Sequence, residues 1–126
     1  MVIRDLIGIP YKPHGRDLNG LDCYGLVIIA IDILTGIKIP DIEYSDTCIK
    51  SNFATSAKLF EKVVYEKLEK PQKNCIIVFD KGTHCGVYLG HGEFIHSNAS
   101  GVNIAQLHGW ECRISGVYKV SNNQHI

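Results

Sequence analysis

The chain has 126 residues, 45% of them hydrophobic and 21% charged, with Lys+Arg and Asp+Glu balanced at 13 each. That length leaves room for one core and not two, and a chain of this size buries roughly two-thirds of its unfolded surface without a metal or disulfide staple. Zero net charge excludes nucleic-acid binding driven by bulk positive charge and a polybasic membrane anchor, and the ordinary apolar content excludes disorder. The five cysteines, at positions 23, 48, 75, 85 and 112, are an odd number with no CxxC pair. That argues against both a zinc finger and a complete disulfide framework.

The N-terminus, MVIRDLIGIPYKP, places Arg4 and Asp5 before any sustained apolar run. No signal peptide is visible, and the expectation is synthesis in the cytoplasm, where thiols stay reduced. The longest apolar run, Leu26 to Ile31, is about a third of what a membrane-spanning helix needs. Residues 8–21, GIPYKPHGRDLNGL, read as a loop because Gly and Pro recur every few residues. Residues 22–36, DCYGLVIIAIDILTG, read as a buried helix with Asp22 as N-cap and Gly36 as stop. Their many Ile and Val make a buried strand the competing reading.

Residues 37–52 read as an irregular connection. Phe53, Ala57, Phe60, Val64 and Leu68 recur at three- and four-residue steps, which predicts an amphipathic helix over 53–69 ended by Pro71. Glu66–Lys70 and Glu69–Lys73 would be its outer i,i+4 pairs. From Asn74 the pattern becomes short β-rich runs at 75–80, 84–90, 93–97, 101–107 and 113–120, punctuated by Gly, Asn and Ser. Five such runs predict an antiparallel meander, and helices followed by strands predict an α+β fold in one domain, with its core over about 4–120.

Cys23 is the thiol with a mechanism. It follows the cap Asp22 in the first turn of the helix, where unpaired N–H groups and partial positive charge favour thiolate. The hairpin THCGVYLGHGEFIHS supplies the second component. With Gly90-His91-Gly92 as a three-residue turn, Gly86 faces His96, and His84 and His96 become diagonal neighbours on one face. A slip of one residue would separate them. Two adjacent histidines facing a helix that begins with a cysteine form a nucleophile–base–orienter set. The bland alternatives are a small core cysteine and hydrogen-bonded structural histidines. A zinc site built from Cys23, His84 and His96 is a further alternative on ligand type. Cys48, Cys75, Cys85 and Cys112 read as structural, with Cys85 turned by alternation to the face opposite His84. His14, His91, His108 and His125 read as loop or turn residues.

GIPYKPHGRDLNGLDCYGLV resembles the nucleophile motif of the NlpC/P60 cysteine peptidases, papain-like hydrolases of the cell wall. THCGVYLGHGEFIHS resembles the same family's histidine motif, and the two stand in the family's order. GRDLNGLDCYGLV and the late W-x-x-R-I-x-G-V-Y segment look most like the phage tail-assembly branch. The resemblance implies N-terminal helices packed on a five- to six-stranded antiparallel sheet, with no cofactor and no metal. Carried over by position, it makes Cys23 the nucleophile, His84 the general base and His96 the residue that orients it. Tyr11 matches the tyrosine whose hydroxyl lies near the oxyanion, and the Cys23 N–H would be the other donor there. Asp22 matches the acid that holds the substrate's free amino end. Tyr24 stands where the family usually has a substrate-binding Ser, His14-Gly15 replaces Gly-Gly, and Gln72-Lys73-Asn74 replaces Pro-Gly-Asp.

The implied activity is hydrolysis of peptidoglycan stem peptides at a γ-D-glutamyl–diaminopimelate type of bond. Phage tail proteins are the expected partners, and neither nucleic acid nor membrane is expected as one. A virion tail would deliver the enzyme to the wall. The alternatives are a non-enzymatic tail or assembly component, and a papain-like amidase or acyltransferase using the same residues.

Overall fold

A computed structural model describes residues 1–41 and 63–122. A short 3₁₀ turn at Ile3–Leu6 leads into the predicted loop, whose end folds into a small antiparallel hairpin of β1 (Arg16–Asp17) and β2 (Gly20–Leu21). Helix α1 (Cys23–Thr35) follows at once. Both predicted brackets hold. The Asp22 carboxylate accepts the Gly25 N–H at 2.7 Å, and Gly36 adopts φ 77° while its N–H bonds Asp32 O at 2.8 Å. The helix wins over the strand reading because both of its ends are chemically satisfied and Cys23, Tyr24, Leu26, Val27, Ala30 and Ile31 are buried.

Among the described residues, the six remaining strands form one antiparallel sheet. They are β3 (Val63–Leu68), β4 (Ile76–Phe79), β5 (His84–Gly90), β6 (Glu93–Asn98), β7 (Gly101–Gln106) and β8 (Ile114–Asn122), in the spatial order β3-β8-β4-β5-β6-β7. The predicted meander therefore holds from β4 to β7, but β8 departs from it. It returns across the sheet to pair with β4 and receives β3 on its far edge.

The predicted helix over 53–69 is corrected where it can be seen: residues 63–68 are strand β3, and residues 53–62 lie outside the described residues. Val63-Val64-Tyr65 is a β-branched and aromatic run, and its hydrogen bonds go to β8. Glu66 stands opposite Lys119 across the strands, a pairing that replaces the i,i+4 partners a helix would have offered. Val64 is exposed, so the apparent helical stripe is not a buried one.

Alternation along β4 shows how the core is divided. Ile76 and Val78 join Cys85, Val87, Ile95, Val102 and Val120 under α1. Ile77 and Phe79 face the other way and join Phe94, Leu107 and Val117 beneath Trp110. β4 is consequently buried on both faces. Among the described residues, one α-helix covers one face, and the 107–113 segment closes over part of the other.

The hairpin packs on the first turn of α1 without a side chain between them. A Cβ on Gly25 would overlap the carbonyl oxygen of Gly15. In an exposed helix, Gly→Ala stabilises by about 1 kcal/mol. Here the overlap with fixed backbone reverses the sign, and Gly25→Ala should lower stability by about 1–3 kcal/mol in urea denaturation. A rise in stability would mean that the loop yields freely.

Candidate active site

The segment entering α1 is held at several points. Leu21 N–H donates to Pro10 O at 3.0 Å, Lys12 N–H donates to Leu21 O at 3.3 Å, and the Ser97 hydroxyl of β6 donates to the same Leu21 carbonyl at 2.7 Å. Cys23 is thus pinned where the helix begins, against the end of the sheet. It is nearly buried, in one cluster with Cys85. Its pKa falls from the usual thiol range to about 5. A hydrogen bond from Cys85 contributes most, burial opposes it, and the hydrogen bond and charge of His84 add to it, while the Asp22 carboxylate pushes the other way. The Cys85 thiol, fully enclosed, is pushed well up by burial and by the neighbouring Cys23. The pair therefore holds its negative charge on Cys23, and Cys85 is the thiol that donates. Cys85 was expected to turn away from the site; alternation turns it away from His84, and that direction is toward Cys23.

The two histidines meet as the hairpin predicts, by a slightly different route. His91 and Gly92, with φ of 53° and 79°, form a two-residue turn, the backbone such turns favour. Gly90 pairs with Glu93, while Val87 pairs with Ile95 and Tyr88 with Phe94, so Leu89 is one extra residue bulged from the ladder. A two-residue turn plus one bulged residue leaves the same pairing as a three-residue turn, and Gly86 stays opposite His96. His84 Nε2 and His96 Nδ1 lie 2.8 Å apart. A Cβ on Gly86 would sit 2.7 Å from Ile95 O and 3.2 Å from His96 Cβ. Gly86→Ala should cost about 1–3 kcal/mol and loosen the histidine contact, giving a large loss of activity for one methyl group. Unchanged activity and melting temperature would contradict it.

The histidines do not face α1, contrary to expectation. Their rings lie on the opposite face, with Phe79, Phe94 and Trp110. His84 is the first residue of β5, and its hydrogen bond and charge help lower the Cys23 pKa. Trp110 covers both imidazoles, its ring 6.3 Å from His84 and 5.4 Å from His96. Arg113 stacks on Trp110 at 4.1 Å and holds Asp80 through two bonds of 2.9 and 2.6 Å.

His96 is buried, and its Nε2 lies 3.1 Å from Asn103 Oδ1 on β7. Burial is the main reason its pKa drops to about 4; the His84 and Arg113 charges lower it further, and Asn103 opposes. His96 is therefore neutral at physiological pH. Its two ring nitrogens are engaged by His84 and Asn103, so a zinc ion would have to displace one of these bonds. Among the described residues no group of three or more His, Cys, Asp or Glu is arranged to hold a metal ion. Asn103 was missed by the sequence reading. Carrying the strand pairing through the Asn98–Gly101 turn would have placed it directly opposite His96.

The flanking residues divide. Tyr11 is 43% exposed and bridges to Leu21, two residues from Cys23. Asp22 is enclosed. Its Oδ1 accepts from Gly25 N–H and from Arg16 Nη1, both at 2.7 Å, and its Oδ2 accepts from His14 N–H at 3.1 Å. Its charge is thereby committed to the fold and to Arg16, which also reaches Asp41 at 2.9 Å. Tyr24, matched by position to a substrate-binding residue, is fully buried, and its hydroxyl donates to Pro40 O at 2.9 Å. Burial pushes that phenol above the ordinary tyrosine range. The larger side chain turns into the core, so it cannot line a substrate surface.

A low-pKa thiol, an imidazole beside it and a second neutral imidazole bonded to the first have the components for nucleophilic acyl transfer. The NlpC/P60 family model matches residues 8–118. A Haemophilus influenzae protein described as "Probable endopeptidase NlpC homolog" is 27% identical over 107 residues, 84% of this chain and 51% of that protein. The Bacillus subtilis "Probable peptidoglycan endopeptidase LytE" is 26% identical over 113 residues, 88% of this chain and 30% of that one. The chain thus spans about half, or less than a third, of the length of these relatives. The crystal structure of an NlpC/P60 family protein from Bacillus cereus superposes with a TM-score of 0.63 at 28% identity, over 91% of this chain and 36% of that chain. With the family model covering nearly the whole chain and a solved member sharing the helix-on-sheet fold, the chain belongs to the NlpC/P60 family.

Proposed function

We propose that the chain is a cysteine endopeptidase that hydrolyses peptidoglycan stem peptides at a γ-D-glutamyl–diaminopimelate type of bond. The observation that carries this reading is the His84 Nε2–His96 Nδ1 contact of 2.8 Å beside a thiol whose pKa is held far below its usual range. The Cys23 thiolate attacks the scissile carbonyl, and the carbonyl π electrons move to oxygen. The Cys23 N–H and the Tyr11 hydroxyl are the donors assigned to that oxyanion. Collapse expels the amine, which takes its proton from His84, and leaves a thioester on Cys23. His84 then removes a proton from water, the hydroxide attacks the thioester, and Cys23 leaves as thiolate. His96, being neutral, accepts a hydrogen bond from His84 throughout and orients it. The Bacillus subtilis relative, described as a probable peptidoglycan endopeptidase, supports a peptidoglycan substrate, and the likeness of the motifs to the phage branch supports delivery by a virion tail, with tail proteins as partners.

Purified peptidoglycan should release soluble fragments on incubation with the protein. Mass spectrometry should find new termini on D-glutamate and diaminopimelate. Fragments cut at another bond would replace the assigned specificity, and no fragments would remove the hydrolase reading.

A further inference from the structure

We infer that Asn103 is a positioning residue that sets the tautomer of both histidines and so decides which nitrogen of His84 carries the lone pair a general base needs. The inference rests on the cysteine–histidine mechanism proposed above. It begins in the β6–β7 turn, where every donor and acceptor can be assigned without choice. The Ser100 backbone N–H, 3.0 Å away, can only donate, so the Asn98 oxygen it meets is an acceptor. That same oxygen lies 3.2 Å from Asn103 Nδ2, and the Gly101 carbonyl lies 2.9 Å from it. Two acceptors therefore face one end of the Asn103 amide, and that end must be the NH₂. Flipping the amide would set its oxygen against two other oxygens.

With the amide held, its oxygen faces His96 at 3.1 Å and can only accept. His96 must then carry its proton on Nε2. Its Nδ1 is left with a lone pair, 2.8 Å from His84 Nε2, which must donate. The only nitrogen of neutral His84 with a lone pair is then Nδ1, the one a general base needs. Each assignment follows from the one before, starting from a backbone N–H.

The turn itself is anchored. Val102 N–H donates to Ile9 O at 2.8 Å, and Gly8 N–H donates to Val102 O at 2.9 Å. A Cβ on Gly101, whose φ is 90°, would approach Ile9 O to 2.8 Å. The N-terminal loop thus fixes the turn that fixes the amide. The charged and titratable groups around His96 are His84 from β5 and Arg113 from the segment leading into β8, with Asp80 tied to Arg113.

The test compares wild type, Asn103→Leu and Asn103→Asp. Long-range ¹⁵N–¹H NMR of the imidazoles reads the tautomers directly and needs no substrate, so it stands even if the hydrolase reading fails. Wild-type His96 should be the Nε2–H form. Asn103→Leu, with no acceptor, should show a mixture with the Nδ1–H form. In hydrolysis, Asn103→Leu should lose roughly tenfold or more in kcat with little change in KM, less than the ~10⁴-fold that a fixed wrong tautomer costs a triad because a mixture keeps part of the right form. Asn103→Asp restores an acceptor, so it should recover much of that loss at alkaline pH. A carboxylate beside His96 favours its protonated form, so its activity should fall away as pH drops at higher pH than in wild type. Wild-type His96 in the Nδ1–H form would overturn the inference. So would a folded Asn103→Leu with an unchanged tautomer, or equal losses in both variants at every pH.

Discussion

Replacing Cys23 by Ala should reduce release of soluble fragments from peptidoglycan by about 10⁴-fold or more, the scale seen when a triad nucleophile is removed. The fold should survive, because the exchange keeps a small apolar residue in the first turn of α1, and the cap comes from Asp22. Iodoacetamide gives an independent reading. The sign follows from a lowered acid pKa: the thiolate is present above the folded pKa and lost as pH falls through it. With the Cys23 pKa at about 5, labelling should be nearly constant from pH 8 to pH 6 and should decline only near pH 5. An ordinary thiol would lose reactivity throughout that range, falling about tenfold per unit below about pH 8.5. Cys75 and Cys85, buried and with raised pKa values, should label slowly in the native state. Labelling of Cys23 that falls steeply between pH 8 and pH 6 would remove the thiolate from the mechanism.

Asp22→Ala should destabilise the protein by about 3 kcal/mol. A lost N-cap costs about 1 kcal/mol. The rest comes from a His14 N–H that loses its acceptor and an Arg16 guanidinium that keeps Gly15 O and Asp41 but loses its enclosed ion-pair partner. Against the 5–15 kcal/mol typical of a domain, that is a large fraction. Asp22→Asn retains a capping oxygen and should cost about 1–2 kcal/mol. Urea denaturation measures both. The position-matched role of Asp22, holding a substrate's amino end, predicts the reverse: a raised KM with stability unchanged. The enclosed carboxylate and its pairing with Arg16 favour the stability effect, which a flat urea midpoint would refute.

Much of the fold is written locally. Asp22 and Gly36 bracket α1 because one side chain can accept the orphan N–H groups and one residue can adopt a left-handed backbone at little cost. The runs that became β4 to β8 stand out through branched and aromatic residues between turn formers, each within a residue or two of its observed bounds. The histidine pair was legible for the same reason, since a hairpin is a local object and period two fixes which side chains share a face. Even the misjudged turn left the pairing unchanged, because the residue removed from the turn reappeared as the bulge at Leu89.

What the amino-acid order determined by itself was therefore helix α1, strands β4 to β8 and the adjacency of His84 and His96. The tertiary structure decided the rest, because it depends on contacts between segments far apart in the chain. Val63–Leu68 carries a pattern compatible with a helix, and only the hydrogen bonds offered by β8 make it a strand. Alternation places His84 and Cys85 on opposite faces but cannot say which face receives α1. Packing put the helix on the Cys85 side, so a cysteine taken as structural joins Cys23 in one cluster, while His84, at the start of β5, lowers the pKa of that thiol. The Arg16 pairing of Asp22, the inward turn of Tyr24 and the Asn103 contact with His96 arise the same way, each through a polar group that burial obliged to find a partner.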